Sequence, residues 1–355
     1  MKIVITDDRF GWTGEEERVF HDAELITADC RNEADLARAC AGADGILLNQ
    51  APMTGRVIRG LDRCRVISRY GTGCDNVDLE AAEAAGIWVT NVPGYCTEEV
   101  AEHALGLLLS CVRAIPEKDR AVRGGRWNIN RPVRRMSGRV LGIVGFGATG
   151  RAFWEKVRGF AFDRILIADP RGEARLSAAR ESRRKALWGE DRGETAGRET
   201  TGRETGQDEV VGFDELVRRS DFISFHVPLN ESTRRCVNEK TIAAMKDGVI
   251  LVNTSRGGII DEGALAAALR SGKIASAALD VFEREPLGPD HPFLGLSNVV
   301  LTDHSAYYSA ESASELKTRT ALNARDVLEG RIPRTAVNRP VLPAARSGYG
   351  AAGVV

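Results

Sequence analysis

Short apolar runs separated by polar-faced stretches set the rhythm of the chain. In about the first hundred residues, Ile3 to Thr6, Gly45 to Leu48, Arg65 to Arg69 and Ile87 to Val89 read as strands, with helical segments such as Asn32 to Cys40 between them. Such alternation predicts an open, mostly parallel sheet of three or four strands covered by helices. Thr97 to Arg113 (TEEVAEHALGLLLSCVR) follows as a long helix, with Thr97 as expected N-cap and acids in its first turn. Its body is so apolar that we expect it to be buried at the junction with a second unit.

The rhythm then resumes. Leu141 to Val144 is a strand, Ala152, Phe153, Val157 and Phe160 mark an amphipathic helix, and Ile165 to Ala168 is a strand. Later elements are a helix at Phe213 to Val217, strands at Asp221 to Val227 and Gly248 to Asn253, a helix at Glu262 to Ser271, and strands at Ser276 to Leu279 and Val299 to Leu301. They complete a second doubly wound sheet. Alanine-rich Ala310 to Glu329 forms a last helix, stopped by Gly330-Arg331-Ile332-Pro333. One stretch breaks the pattern: the charged near-repeat GETAGRETTGRETG offers almost no apolar anchors, so about Ser182 to Asp208 is expected to be a mobile surface loop. Residues after about Leu342 read as a loose tail.

Composition adds mainly exclusions. With 355 residues, 43% hydrophobic and 28% charged, the chain can build two domains. Forty-nine basic against fifty acidic residues leave a formal charge of −1, so no global field recruits nucleic acid or an anionic membrane. The seven cysteines are scattered and never form a CxxC pair, which points to a reducing, cytoplasmic setting and to neither a disulfide framework nor a metal site. Met1-Lys2-Ile3-Val4 starts at once as a strand without a leader, and no apolar run approaches the length of a membrane span.

The sharpest chemical signal is Gly145-Phe146-Gly147-Ala148-Thr149-Gly150, between strand and helix, with Asp169 ending the next strand nineteen positions after Gly150. Gly145 permits the tight turn, Gly147 lets a pyrophosphate approach the backbone, Gly150 lets helix and strand pack, and the helix start supplies N–H donors. Asp169 can take both hydroxyls of an adenosine ribose and repel a 2′-phosphate. Dinucleotide binding is therefore expected, with NAD as the cofactor.

Ligands of such sheets bind beyond the carboxyl ends of the strands. The segments His226-Val227-Pro228-Leu229, Thr254-Ser255-Arg256-Gly257-Gly258, Leu279 to Pro286 and Thr302-Asp303-His304-Ser305 should arrive there. If hydride leaves a secondary alcohol, its hydroxyl proton needs a base of near-neutral pKa, and His304 is the candidate. Glu285 would orient the imidazole and hold its cation. Arg256 would clamp the substrate carboxylate and stabilise the developing alkoxide.

These motifs resemble the D-isomer-specific 2-hydroxyacid dehydrogenase family from Met1 to about Pro340. The resemblance rests on Gly71-Thr72-Gly73-Cys74-Asp75-Asn76-Val77-Asp78, Asn91-Val92-Pro93-Gly94, Val100-Ala101-Glu102-His103, the glycine loop with Asp169, HVPL, NTSRGG, LDVFEREPL and the histidine segment. It implies two doubly wound parallel-sheet domains with a cleft between them. A flavodoxin-like substrate domain would span 1–106 plus 306–341, and a Rossmann NAD-binding domain 107–305. It also implies a catalytic set at Arg256, Glu285 and His304, backbone donors to the substrate carboxylate at Thr72 and Gly73, and Thr254 and Asp280 along the cofactor. Cys96 would lie near the nicotinamide, and the protein would be a homodimer. Asn49, Gln50 and Tyr307 lie in the loops expected to choose the 2-hydroxyacid.

Within the family, His304-Ser305-Ala306-Tyr307-Tyr308-Ser309 looks most like the C-terminal-binding-protein branch, which includes transcriptional corepressors. A dinucleotide-sensing binding module with little turnover is thus the alternative to an enzyme. Several positions depart from the family pattern. Asp303 replaces a proline, Ala148 a basic residue, and Cys96 a polar one. Leu48-Asn49-Gln50-Ala51 lacks the arginines of phosphoglycerate-specific members.

Overall fold

A computed structural model describes residues 1–340 apart from 9, 128–129, 131 and 189–207. Contacts divide the described residues into two units, one formed by 1–95 with 308–340, the other lying within 96–307.

In the first unit five strands, β1 (Lys2–Ile5), β2 (Glu24–Thr27), β3 (Gly45–Leu48), β4 (Val66–Arg69) and β5 (Trp88–Thr90), pair in the order β2-β1-β3-β4-β5. All neighbours are parallel. The strand β2 was missed in the sequence because ELIT is short and only partly buried, as an edge strand is. Helices α1 (Gly14–Val19), α2 (Glu33–Ala39), α3 (Gly55–Arg59) and α4 (Leu79–Ala84) connect the strands. One core joins Leu36, Ile46, Leu48, Ile58, Ile67 and Val89, each essentially without exposure.

The second unit begins with α5 (Thr97–Arg113) and α6 (Ile115–Arg123). Cys96 stands at the N-cap of α5, so Thr97 is the first helical residue and not the cap. All of α5 belongs to this unit, whereas the expected boundary at 106/107 would cut it; its buried face packs on α7 and on β10 to β12. Seven parallel strands follow: β6 (Val140–Val144), β7 (Arg164–Ala168), β8 (Asp208–Val210), β9 (Phe222–Phe225), β10 (Val249–Asn253), β11 (Ile274–Leu279) and β12 (Val299–Leu301). Their order is β12-β11-β10-β9-β6-β7-β8, which reverses direction about β6 and β9. The connecting helices are α7 (Ala148–Val157), α8 (Gly172–Trp188), α9 (Phe213–Arg219), α10 (Glu239–Ala244) and α11 (Glu262–Ser271).

The region after Asp169 needs a correction. Ser182 to Trp188 lie on α8 and not in a loop, since the arginines, lysine, alanine and leucine of this stretch are good helix formers that continue the helix begun at Gly172. Asp208 begins β8. The rest of the expected loop, 189–207, and the expected tail from 342 lie outside the described residues. Residues 308–340 return to the first unit, with α12 (Ala310–Leu328) opened by a capping box between Ser309 and Ser312. Among the described residues no helix is long and apolar enough to cross a membrane, and no group of His, Cys, Asp or Glu could hold a metal ion.

Candidate active site

In the second unit β6 runs straight into the glycine turn and α7. Gly145 has φ +91°, and a Cβ there would lie 2.4 Å from the carbonyl oxygen of His226. A Cβ on Gly150 would lie 2.1 Å from the oxygen of Gly145, so turn and helix approach as only glycine permits. Gly147 differs: nothing in the protein lies within 4 Å of where its Cβ would be. It caps α7 without a side-chain bond, leaving the amides of Ala148, Thr149 and Gly150 with no acceptor one turn back. Asp169 closes the far side of the turn. Its Oδ2 accepts from the Phe146 amide at 2.8 Å and from Arg175 Nη1 at 2.6 Å, and its Oδ1 accepts from the Arg171 amide at 2.8 Å. Burial works to raise the Asp169 carboxyl, but the two amides and Arg175 outweigh it and hold it below the ordinary range.

The remaining cofactor candidates stand at the ends of β9, β10 and β11 and at the start of α5. His226 spends its side chain inward: Nε2 meets Ser224 Oγ at 2.9 Å and the ring packs on Phe153 at 5.0 Å. Burial pushes this imidazole down to about 3, so it is neutral and takes no part in proton transfer. Val227 packs beside Gly145, and Pro228 is exposed. Thr254 Oγ1 is buried without a hydrogen-bond partner. Ser255 donates its amide and hydroxyl to Asn253 Oδ1 at 3.0 and 2.7 Å. Cys96 is partly exposed and its carbonyl starts α5. The unobstructed Gly147, the unanswered amides and the orphaned Thr254 hydroxyl fit a bound NAD.

The catalytic candidates come together at the carboxyl edge of β10, β11 and β12. His304 Nδ1 lies 2.6 Å from Glu285 Oε2, and Glu285 Oε1 accepts from the Phe282 amide at 2.9 Å. Because a carboxylate only accepts, Nδ1 must carry the proton, which leaves Nε2 for exchange. Burial tends to raise the Glu285 carboxyl. His304, the Phe282 amide and the charge of Arg256 reverse that effect and keep it below its usual range. Arg256, partly exposed, donates from Nη1 to the Ser255 carbonyl at 2.7 Å. Its loop is held by Asn253 Nδ2 on the Arg256 carbonyl at 2.9 Å. A Cβ on Gly257 would lie 1.8 Å from the Phe282 carbonyl carbon, so this glycine lets the arginine loop lie directly on the glutamate loop.

His304 itself has φ +56°, a left-handed backbone that a histidine seldom takes. Asp280, buried at the end of β11, holds it there. The Asp280 carbonyl accepts from the His304 amide at 2.9 Å, while its carboxylate accepts from Thr302 Oγ1 at 2.6 Å and from the Ser305 and Ala306 amides at 3.0 and 3.1 Å. His103 on α5 reaches Thr302 Oγ1 at 3.0 Å. Asp280 thus anchors the histidine loop, in addition to the place along the cofactor that the resemblance implied. Asp303 is exposed, and hydrogen bonds from Ser305 and its own backbone lower its carboxyl.

The substrate candidates of the first unit gather at the carboxyl ends of β3 and β4. Thr72 Oγ1 donates to the Val92 carbonyl at 3.2 Å, and the Thr72 carbonyl accepts from Asn91 Nδ2 at 2.7 Å. Gly73 is half-buried beside it. The organiser of Asn49 and Gln50 is Asp7, which sequence reasoning passed over: its carboxylate takes the amides of Asn49, Gln50 and Ala51 at 3.0, 2.6 and 3.2 Å. A carboxylate just past β1 was the available signal. Tyr307 closes the second unit and is half-buried.

Residues 105–188 and 193–306 match the family described as D-isomer specific 2-hydroxyacid dehydrogenase, NAD binding domain. The chain is 38% identical over 303 residues to a glyoxylate reductase of Korarchaeum cryptofilum, covering 84% of this chain and 83% of that one. It is 34% identical over 321 residues to a D-3-phosphoglycerate dehydrogenase of Archaeoglobus fulgidus, covering 90% of this chain and 55% of that one. Among solved structures it resembles a D-lactate dehydrogenase of Aquifex aeolicus complexed with NAD and lactic acid (TM-score 0.77, 25% identity, 95% and 99% covered). It also resembles an acyclic imino acid reductase in complex with NADPH and D-Arg (TM-score 0.76, 25% identity, 95% and 100% covered). The chain therefore belongs to the D-isomer-specific 2-hydroxyacid dehydrogenase family, NAD-dependent oxidoreductases that interconvert a D-2-hydroxyacid and a 2-oxoacid by hydride transfer.

Proposed function

We propose that His304 is the acid and base of this reaction, that Glu285 orients and charges it, and that Arg256 binds the substrate carboxylate and polarises the reacting oxygen. The observation that carries this reading is the 2.6 Å contact between His304 Nδ1 and Glu285 Oε2, made on a carboxylate that also feels Arg256. A bound nicotinamide dinucleotide, held by the glycine turn after β6 and the loops after β9 and β10, would supply or accept the hydride. In reduction the proton leaves Nε2 for the nascent alkoxide; in oxidation it returns there, and Glu285 compensates the imidazolium. Thr72 and Gly73 offer backbone N–H groups to the carboxylate. Thr254, Ser255 and the α7 amides would hold the dinucleotide, and Cys96 is the candidate for the nicotinamide end.

The preferred substrates are small 2-oxoacids. Asn49, Gln50 and Tyr307 select among them, and the absence of arginine in Leu48-Asn49-Gln50-Ala51 disfavours a substrate phosphate. Turnover of NADH with glyoxylate, hydroxypyruvate, pyruvate and bulkier 2-oxoacids tests the assignment; a protein that binds NADH and oxidises it with none of them would refute it. Arg256→Ala should lower kcat/KM by about 2–5 kcal/mol of transition-state stabilisation. Unchanged turnover would remove Arg256 from the chemistry.

The protein is read as a cytoplasmic homodimer. Seven cysteines without a disulfide support the compartment, and exposed Ile115, Val122, Trp127 and Val133 in one stretch of the second unit support self-association. Sedimentation of the wild type and Trp127→Glu checks the dimer. The His304–Ser309 segment supports the C-terminal-binding-protein-like branch and its corepressor alternative. That reading predicts negligible turnover and an NADH-dependent change of oligomeric state.

A further inference from the structure

We propose that the adenosine end of the dinucleotide site also accepts the 2′-phosphorylated dinucleotide, NADP(H), because Arg175 cancels the charge of Asp169 and, with Arg171, lines a cationic groove beside it. The inference rests on the reading of Gly145 to Asp169 as a dinucleotide site.

A free carboxylate at the end of the second strand selects NAD in two ways: it accepts both ribose hydroxyls, and it repels a phosphate. Asp169 is poorly placed for either. An ionised carboxylate has about four lone-pair sites. The Phe146 amide, the Arg171 amide and Arg175 Nη1 already take three bonds on Asp169, at 2.8, 2.8 and 2.6 Å. Its side chain is only 7% exposed, so little of it remains for two hydroxyls. The ion pair with Arg175 also leaves no net negative charge to turn a phosphate away.

What the groove offers in its place is cationic. A cavity of about 770 Å³ runs between α7 and α8, lined by Ala148, Arg151, Arg171, Ala174, Arg175 and Ala178 among others. The small alanines leave room. The two acids on its walls are matched, Glu98 by Lys156 at 2.7 Å and Glu155 by Arg183. With Arg175 balanced by Asp169, Arg151 and Arg171 give the groove its positive excess. A guanidinium carries five N–H donors in a planar fork, of which Arg175 uses one on Asp169, so it can bridge carboxylate and phosphate together. The acyclic imino acid reductase described above, a neighbour of the same fold, holds NADPH.

Equilibrium titration of the full chain, following the fluorescence of NADH and NADPH without substrate, tests this directly. The expected Kd values lie within about tenfold of each other, as for an exposed charge contact won or lost. Arg175→Ala should weaken NADPH at least about tenfold by removing the fork and unmasking Asp169, with NADH shifted much less. Arg171→Ala, on an exposed side chain, should weaken NADPH alone and guards against a folding defect in the first variant. Wild-type NADPH binding about a hundredfold weaker than NADH, or arginine variants that leave the ratio unchanged, would overturn the proposal while leaving the NAD site intact. Failure of both dinucleotides to bind would instead overturn the site itself.

Discussion

At the scale of single residues, the proposed chemistry depends on keeping one proton on Nδ1 of His304. Glu285→Gln keeps the shape but can turn an NH2 toward that nitrogen and removes the charge opposite the imidazolium. We expect kcat/KM to fall roughly tenfold to a hundredfold, the worth of one hydrogen bond to a charged group. The Glu285 carboxyl is held below its usual range beside His304, so the variant removes a charge present across the neutral range and the pH-rate profile of 2-oxoacid reduction should change shape. A pH-rate profile of the variant that superimposes on the wild type would contradict the role of Glu285. The positions of Arg256, Glu285 and His304 were legible in the sequence because each follows an apolar strand. Asp280 was legible as a position but not as an anchor: its partners at 302, 305 and 306 are distant in sequence, and the left-handed His304 has no sequence signature.

At the scale of elements, the glutamate and arginine loops meet through Gly257. Gly257→Ala places a methyl group 1.8 Å from the Phe282 carbonyl carbon, where backbone must move. We expect a loss of about 1–3 kcal/mol of stability and a loss of turnover larger than a distant substitution of equal instability causes. Urea unfolding beside kcat measures both, and near-wild-type values for the two would show that the loops do not need this approach. Most elements were readable from period alone: α11 and β12 fall where the pattern puts them. The edge strands β2 and β8 were not, since each is three or four residues long and only partly buried. Helix α8 was masked by its charge, because a polar amphipathic surface and an unanchored loop share a composition.

At the scale of the whole molecule, each unit carries a buried ionisable group that sets its response to conditions. In the first, Lys317 on α12 is fully buried and ion-paired with Glu16 at 3.3 Å, which also accepts from Tyr70 Oη at 2.6 Å. Lys317 Nζ further meets the Trp12 carbonyl. Lys317→Met should destabilise the protein by about 3–5 kcal/mol, since it strands the Glu16 carboxylate. Adding Glu16→Gln should recover part of that loss, and a double variant no better than the single would argue against the pairing. In the second unit, His226 sits near 3 when folded, well below its ordinary value of 6.5. The unfolded chain therefore binds the extra proton first, and this contribution to stability is complete above about pH 6.5 and is lost as pH falls toward about 3. Chemical denaturation of the wild type and His226→Gln between pH 7 and pH 4 should show the steeper decline in the wild type.

The division of the chain has an evolutionary corollary. Arg256, Glu285 and His304 are encoded within one folding unit, while Asn49, Gln50, Thr72 and Gly73 belong to the other. If Asn49 and Gln50 select the oxoacid as proposed, mutational drift around Asp7 would retune that preference without touching Arg256, Glu285 and His304. A lineage of such proteins can thus diversify its diet while inheriting its reactive machinery unaltered.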